Sequence, residues 1–160
     1  CSELTTINEI EKIQEKEMPE ASKEVLLVLD AETGQNAILQ VISTGVDTFY
    51  CGGYGDFDLL CAKIVNKLKA NYQHLKCVFV TPYINEGYQN KLKCVKDTGL
   101  YDEILYPPLE MALQRYAITE RNKFMINASD QIIVYIRCDF GGAYTAFKYA
   151  VNKGKSIIKI

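Results

Sequence analysis

A chain of 160 residues is long enough to bury one hydrophobic core, so a single domain is the expectation for this length. Charged residues make up 24% of the chain and hydrophobic residues 48%, a composition that excludes an intrinsically disordered protein. The formal net charge of -2 excludes a global basic field, so nucleic acid is an unsupported partner.

Cysteine usage and apolar stretches bear on metal binding and on localisation. The six cysteines are far apart with no C-x-x-C pair, and the chain has only one histidine, so the sequence predicts no metal site. No apolar stretch approaches the ~20 residues that are needed to cross a bilayer. We therefore expect a cytoplasmic protein with reduced thiols and no insertion into a membrane.

The first 45 residues predict a helix, a strand and a second helix. Apolar residues recur at helical spacing between residues 3 and 17, and Pro19 ends this first helix. The segment 24–30, with its continuous apolar run at residues 25–29, is typical of a buried strand in a parallel sheet. A short helix is expected after the turn at residues 33–35.

From residue 46 onward, predicted strands and helices alternate to the end of the chain. The strands are expected at residues 48–51, 76–81, 103–106, 131–136 and 156–160. The helices are expected at residues 56–70, 115–128 and 139–152, with a weaker helical pattern at 85–98. The strand at 131–136 is the best candidate for the centre of the sheet, and Gly154 for a helix C-cap. The alternation predicts an α/β fold of three layers, Rossmann-like, with a mainly parallel sheet and helices on both faces.

Two glycine-rich turns follow predicted strands at the ends where parallel sheets bind ligands. The first contains Gly52, Gly53, Tyr54, Gly55 and Asp56, and the second contains Gly141 and Gly142. Glycine lets the backbone approach an anion and adopt positive φ, and the helix N-termini at these ends attract negative charge. Asp56 is a candidate for a ribose contact or, equally, for a helix N-cap. Each turn alone is equally compatible with a plain sharp turn, but together they predict phosphate binding.

Several side chains near these turns are candidates for ligand contacts, and each has a structural alternative. Thr145 lies one turn inside the last helix, where its hydroxyl either faces the same anion or bonds to its own helix backbone. Arg121, with Asn122 beside it, offers a planar fork for a phosphate, and the alternative is a solvated helix face. Tyr54 and Phe57 are candidates for stacking on a base, although Phe57 is equally compatible with core packing.

Five segments within residues 46–160 resemble the SLOG superfamily, the Rossmann-like group that contains the DNA-processing protein A fold and the Lonely Guy nucleotide phosphoribohydrolases. These segments are residues 49–58, 104–108, 115–125, 128–130 and 140–145. The resemblance implies that the two glycine turns and the helix with Arg121 and Asn122 bind or sense a nucleotide-derived, phosphate-bearing small molecule. It implies no reaction and no cofactor beyond that ligand, and related families often form homodimers.

The catalytic pattern of the phosphoribohydrolases is only partly present. In that branch an arginine on the penultimate helix precedes P-G-G-x-G-T-x-x-E, whose glutamate is catalytic. The matching residues are Arg121, Gly141, Gly142 and Thr145. The departures are Phe140 for the proline, Tyr144 for the third glycine and Lys148 for the glutamate. Because a lysine cannot act as that carboxylate, we expect binding without catalysis. A nucleotide N-glycosidic hydrolase that uses another carboxylate, such as Glu120, is the alternative.

Residues 1–40 resemble a different family. Residues 7–10 and 19–37, with the segment D-A-E-T-G-Q-N-A, are similar to the GTPase domain of the bacterial signal recognition particle receptor, from which Glu32 departs. That resemblance implies protein targeting, but the chain has no P-loop and no T-K-x-D segment, so we expect no GTP hydrolysis. We expect an incomplete helix-strand-helix fragment at 1–40 joined to the SLOG-like domain at 46–160. The initial Cys1 in place of methionine also suggests a fragment or a fused reading frame.

Overall fold

The computed structural model describes residues 31–53 and 55–160, so the elements expected at 3–17 and 24–30 lie outside the described residues, as does Tyr54. The unit described below is Gly34–Ile160, together with the first turn of its first helix. In chain order the elements are α1 (Ala31–Ser43), β1 (Thr48–Cys51), α2 (Asp56–Leu68), β2 (Lys76–Val80), α3 (Glu86–Asp97), β3 (Glu103–Leu105), a 3-10 turn (Gln114–Tyr116), α4 (Ala117–Ala128), β4 (Gln131–Val134), α5 (Gly141–Asn152) and β5 (Ser156–Lys159).

Every strand pair in the described part of the chain is parallel, and helices separate the strands along the sequence. Strands β1, β2 and β3 form one sheet in that order, in which Phe49 lies opposite Cys77. Strands β4 and β5 form a second sheet, in which Ile132 lies opposite Ile157. The predicted Rossmann-like α/β fold with parallel strands is confirmed.

The core of the unit lies where α1 and α2 pack against the first sheet. Ile38 from α1, Val65 from α2 and Cys77 from β2 are among the buried side chains of one apolar cluster. Because α1 and α2 each bury one apolar face in this way, both helices are fixed relative to β1 and β2. The glycine loop between β1 and α2 is therefore held at a defined position.

Among the described strands, β4 pairs with β5 and β2 has a neighbour on each side, and the central position expected for the strand at 131–136 stays a prediction. One detail of the sequence interpretation is wrong. Asp56 does not cap α2. Gly55 occupies the cap position with φ 117, a conformation that disfavours any side chain, and Asp56 is the first helical residue. Gly154 takes the predicted left-handed conformation after α5, with φ 65.

The start of β3 is tied to β2 by one carboxylate. Asp102 accepts a hydrogen bond from the backbone N–H of Cys77 at 2.7 Å and pairs with the ammonium of Lys69, the residue after α2, at 2.6 Å. Burial alone raises the pKa of Asp102, but these two donors together hold it below its ordinary value.

Across residues 31–53 and 55–160, no helix is long and apolar enough to cross a membrane.

Candidate functional site

A cavity of about 690 Å³ runs along β1 and β4, and its lining extends beyond the carboxyl end of β4 to Tyr135, Ile136 and Gly142. Its walls include residues of α1, α2, α4 and α5, among them Ile38, Phe57, Asn122 and Gly142. The volume lies within the range of small-molecule sites, and the carboxyl end of a parallel sheet is where α/β folds bind ligands. We call the part formed by the first turns of α2 and α5 and by the adjoining part of α4 the rim.

The first glycine loop passes so close to neighbouring side chains that glycine is required at two positions. A Cβ on Gly52 would overlap the guanidinium of Arg121, and a Cβ on Gly53 would overlap the ring of Phe79. Gly53 also has φ 66, which disfavours any residue with a side chain. Packing within the protein therefore requires glycine at positions 52 and 53, independently of any ligand.

Arg121 is a buried residue of α4 that holds two strand ends together. Its side chain is only 2% exposed, and one guanidinium nitrogen donates to the carbonyl of Gly52 at 2.6 Å and to that of Val80 at 3.0 Å. The carbonyl of Gly52 begins the loop after β1, and that of Val80 ends β2, so the positive charge is fixed beside the first glycine loop. Arg121 also lines the cavity, which keeps its charge beside the space that a ligand would enter.

Two rim residues were not singled out from the sequence. Asp58 on α2 accepts a hydrogen bond from the N–H of Gly52 at 3.3 Å and lines the cavity. The ring of Tyr135, just after β4, stacks on Phe57 with centroids 5.9 Å apart and an angle of 27°. Asp58 follows Gly52 by six residues, a spacing that fits a carboxylate folded back onto its own loop. No local sequence pattern identifies Tyr135 as a site residue, because Phe57, on which it stacks, is far away in the sequence.

The second glycine loop begins α5 and is open to solvent. Gly141 has φ 88, and a Cβ on either Gly141 or Gly142 would meet no atom within 4 Å. The first turn of α5 carries no acidic residue, and no side chain bonds to its cap position, Phe140, which is 74% exposed. The N–H groups of this helix end therefore face a space without competing negative charge from their own helix.

The predicted site residues fall into three groups. Arg121, Asn122 and Gly142 line the cavity. Six other predicted site residues in the described part of the chain lie on the two glycine loops or on α5 but do not line the cavity: Gly52, Gly53, Gly55, Asp56, Gly141 and Thr145. Tyr54 lies outside the described residues. The hydroxyl of Thr145 donates to the carbonyl of Gly141 at 2.9 Å, which is the structural alternative to an anion contact.

The pKa values of Cys51 and Cys61, two thiols near the first loop, are raised. The hydrogen bond with Cys77, at 3.9 Å between the sulfur atoms, and burial both raise the pKa of Cys51. Burial raises the pKa of Cys61 to about 12. A neutral thiol is a poor nucleophile and a poor metal ligand, and over residues 31–53 and 55–160 no three His, Cys, Asp or Glu side chains are grouped to hold a metal ion.

The two positions that bear on N-glycosidic catalysis are a lysine and a glutamate that pairs with a lysine. Lys148 is exposed on α5, and its ammonium lies 5.7 Å from the ring centre of Tyr144. Glu120 on α4 accepts a hydrogen bond from Lys123 at 2.8 Å. Its carboxylate is thus engaged by a neighbouring ammonium on the same helix.

Parallel strands, alternating helices and glycine loops at the carboxyl ends of β1 and β4 define a Rossmann-like α/β domain. The family model of the YspA SLOG family, YpsA, matches residues 22–157, and the chain belongs to this family. The match begins at residue 22, within the segment 1–40 that was expected to be a separate fragment. No curated protein matches the chain.

Proposed function

We propose that this domain binds a nucleotide-derived, phosphate-bearing small molecule at the rim and does not cleave it. The observation that carries the proposal is the convergence of two helix N-termini, those of α2 and α5, on one cavity at the carboxyl ends of parallel strands. Membership of the SLOG family supports a ligand of this class.

The phosphate is assigned to α5. The first turn of α5 has no acidic residue, whereas that of α2 carries Asp56 and Asp58. A phosphate beside two carboxylates is repelled, while one beside the free N–H groups of α5 is attracted by the helix dipole. The buried charge of Arg121 at the cavity wall adds to this attraction.

The nucleoside part is assigned to the opposite side of the rim. Carboxylates such as Asp58 accept hydrogen bonds from ribose hydroxyls or from the amino group of a base. The stacked rings of Phe57 and Tyr135 lie on the same wall and offer an aromatic surface to a base. Asn122 supplies both a donor and an acceptor between the two ends.

Binding without cleavage follows from the charges at the two candidate catalytic positions. Lys148 stands where the phosphoribohydrolase pattern has its glutamate, and Glu120 is paired with Lys123. N-glycosidic hydrolysis by that pattern requires a carboxylate facing the sugar. A binding or sensing role therefore agrees with the described side chains better than the hydrolase alternative.

Isothermal titration with AMP, ADP-ribose, NAD and a cyclic nucleotide tests the proposal. Gly142→Asp places a carboxylate at the N-terminus of α5 in open space, and we expect it to weaken binding at least tenfold. Gly87→Asp is the matched control, because Gly87 is likewise the second residue of a helix, α3, and has room for a side chain. It should bind as the unsubstituted protein does.

Two results would contradict the proposal. One is that none of the four compounds binds, and the other is that Gly142→Asp binds as tightly as Gly87→Asp. Chromatography of the same mixtures for released base tests the absence of cleavage. Free base that accumulates with the unsubstituted protein would favour the hydrolase alternative.

A further inference from the structure

The segment between β3 and α4 exposes large apolar side chains. Met111 is 99% exposed, and Leu113 and Tyr116 are also exposed. Two backbone hydrogen bonds hold the segment in shape. The N–H of Ala112 donates to the carbonyl of Leu109 at 2.9 Å, and the N–H of Tyr116 donates to the carbonyl of Leu113 at 2.7 Å. The backbone of the segment thus presents these apolar side chains to their surroundings instead of burying them.

The loop after β2 adjoins this segment and enlarges its apolar surface. The hydroxyl of Tyr83 donates to the carbonyl of Gln114 at 3.4 Å, and the next residue, Ile84, is exposed. We call Ile84, Met111, Leu113 and Tyr116 the apolar patch. Monomeric proteins rarely expose large contiguous apolar surfaces, and methionine, tyrosine and arginine are enriched where proteins bind each other. The composition of the patch, with Arg115 beside it, is therefore typical of a protein interface.

The apolar patch is separate from the rim. Among the residues that the structure describes, none of the four patch residues lines the cavity along β1 and β4. A nucleotide bound at the rim would leave the patch exposed, so the proposed ligand does not account for it.

Two opposite charges flank the segment that carries most of the patch. Glu110 directly precedes Met111, Arg115 directly precedes Tyr116, and both charged side chains are exposed. Within residues 31–53 and 55–160, neither of the two forms an ion pair. The guanidinium of Arg115 lies 4.8 Å from the ring centre of Tyr116, at the edge of the patch. Each charge is therefore available to an opposite charge on a partner.

This order of charges makes the surface complementary to itself. If a second copy is related to the first by a two-fold axis through the middle of the segment, Glu110 of each copy faces Arg115 of the other. The apolar side chains of both copies then meet between the two ion pairs. A two-fold contact requires that one surface complement itself in this way. A partner with charges of a single sign would instead place a like charge against Glu110 or Arg115.

We propose that a second copy of this chain binds the apolar patch and forms an isologous dimer whose two-fold axis lies between Glu110 and Arg115. The contact buries the patch of each copy against that of the other and pairs Glu110 with Arg115 twice. Burial of the apolar side chains stabilises the dimer, and the two ion pairs set the orientation of the copies. The rim stays open, so dimerisation and ligand binding use different residues.

Sedimentation velocity of the full chain over a range of concentrations tests the role of the apolar side chains. We expect the unsubstituted chain to dimerise. Met111→Asp should raise the dissociation constant at least tenfold, because it places a charge within the apolar contact. Val151→Asp is the matched control, since Val151 is likewise an exposed apolar residue but lies on α5. It should dimerise as the unsubstituted chain does.

Exchanged charges test the two-fold arrangement. Glu110→Arg leaves an arginine at both positions, and Arg115→Glu leaves a glutamate at both. We expect each variant to dimerise at least tenfold more weakly than the unsubstituted chain, because like charges then face each other. In an equimolar mixture every arginine can face a glutamate of the other variant. The mixture should therefore form mixed dimers with a dissociation constant close to that of the unsubstituted chain.

Three outcomes overturn the proposal. An unsubstituted chain that stays monomeric at about 1 mM would show that the patch does not bind a second copy. A dimer that Met111→Asp does not weaken would place the contact elsewhere on the chain. A mixture that associates no more tightly than its two components would exclude the two-fold pairing of Glu110 with Arg115. All three measurements are made without nucleotide, so they and the titration fail independently.

Discussion

Gly53 combines two constraints that act on the same atom. Its backbone lies in the left-handed region with φ 66, and the space where a Cβ would be is filled by the ring of Phe79. Phe79 is itself buried in β2 and cannot move without disturbing the sheet. The first glycine loop is thus fixed in place by the core beneath it.

We expect Gly53→Ala to destabilise the fold by about 1–3 kcal/mol, from backbone strain and overpacking together. The measurement is the free energy of unfolding in urea. Gly87→Ala is the control, because Gly87 lies in α3 with no close neighbour, and there alanine should stabilise by about 0.5–1 kcal/mol. Equal unfolding free energies for the two variants would contradict the account of this loop.

Arg121 shows how far a residue's role can be predicted from sequence. Its type and helix position predict a charge beside the proposed ligand site, and the structure shows that Arg121 lines the cavity. Its hydrogen bonds to Gly52 and Val80 could not be foreseen, since these partners are 69 and 41 residues away in the chain. The same separation hid Tyr135, whose contact with Phe57 exists only after the strands are assembled.

The attachment of β3 to β2 depends on a carboxylate whose pKa is lowered in the folded state. A group of this kind adds stability above its unfolded pKa, about 4 for aspartate, and loses it as the pH falls through the lower folded value. Protonation of Asp102 removes its ion pair with Lys69 and weakens the hydrogen bond that it accepts from the amide of Cys77.

We expect Asp102→Asn to lower the urea midpoint at pH 7 and to lower it much less at pH 3, because the stability that the lowered pKa adds is lost as the pH falls below about 4. Glu103→Gln, at the exposed neighbouring position, controls for the loss of one negative charge from this edge. If Asp102→Asn lowered the urea midpoint equally at both pH values, the charge of Asp102 would not be the source of the lost stability. That result would contradict the stabilising role assigned to its contacts with Cys77 and Lys69.

Helices and strands were predictable where local patterns decide them. Strand β1 has the predicted bounds, and the weak pattern at 85–98 is indeed a helix, α3. Helix α1 is longer than expected because Gly34 was interpreted as part of a turn. Gly34 instead packs closely against Ile64 of α2, so burial outweighs its low helix propensity.

The arrangement of the whole domain was predictable in class but not in detail. The alternation of strands and helices was enough to predict a parallel α/β fold, and the five segments that resemble the SLOG superfamily were enough to predict the family. The pairing of β4 with β5 could not be predicted from the sequence, because pairing between strands depends on contacts between distant segments that leave no periodic pattern. The boundary predicted between residues 40 and 46 stays a prediction. Helix α1 runs through residue 43, and its Ile38 and Ile42 belong to the core.

The most direct test of the central claim is to map amide chemical shifts of the full chain during titration with AMP. We expect the shifts to concentrate in both glycine loops and in the first turn of α5, including Gly52, Gly142 and Ala143, and at Asn122. Shifts confined to the exposed apolar residues after β3, such as Met111 and Leu113, or no shifts with any of the four compounds, would contradict a nucleotide site at the rim.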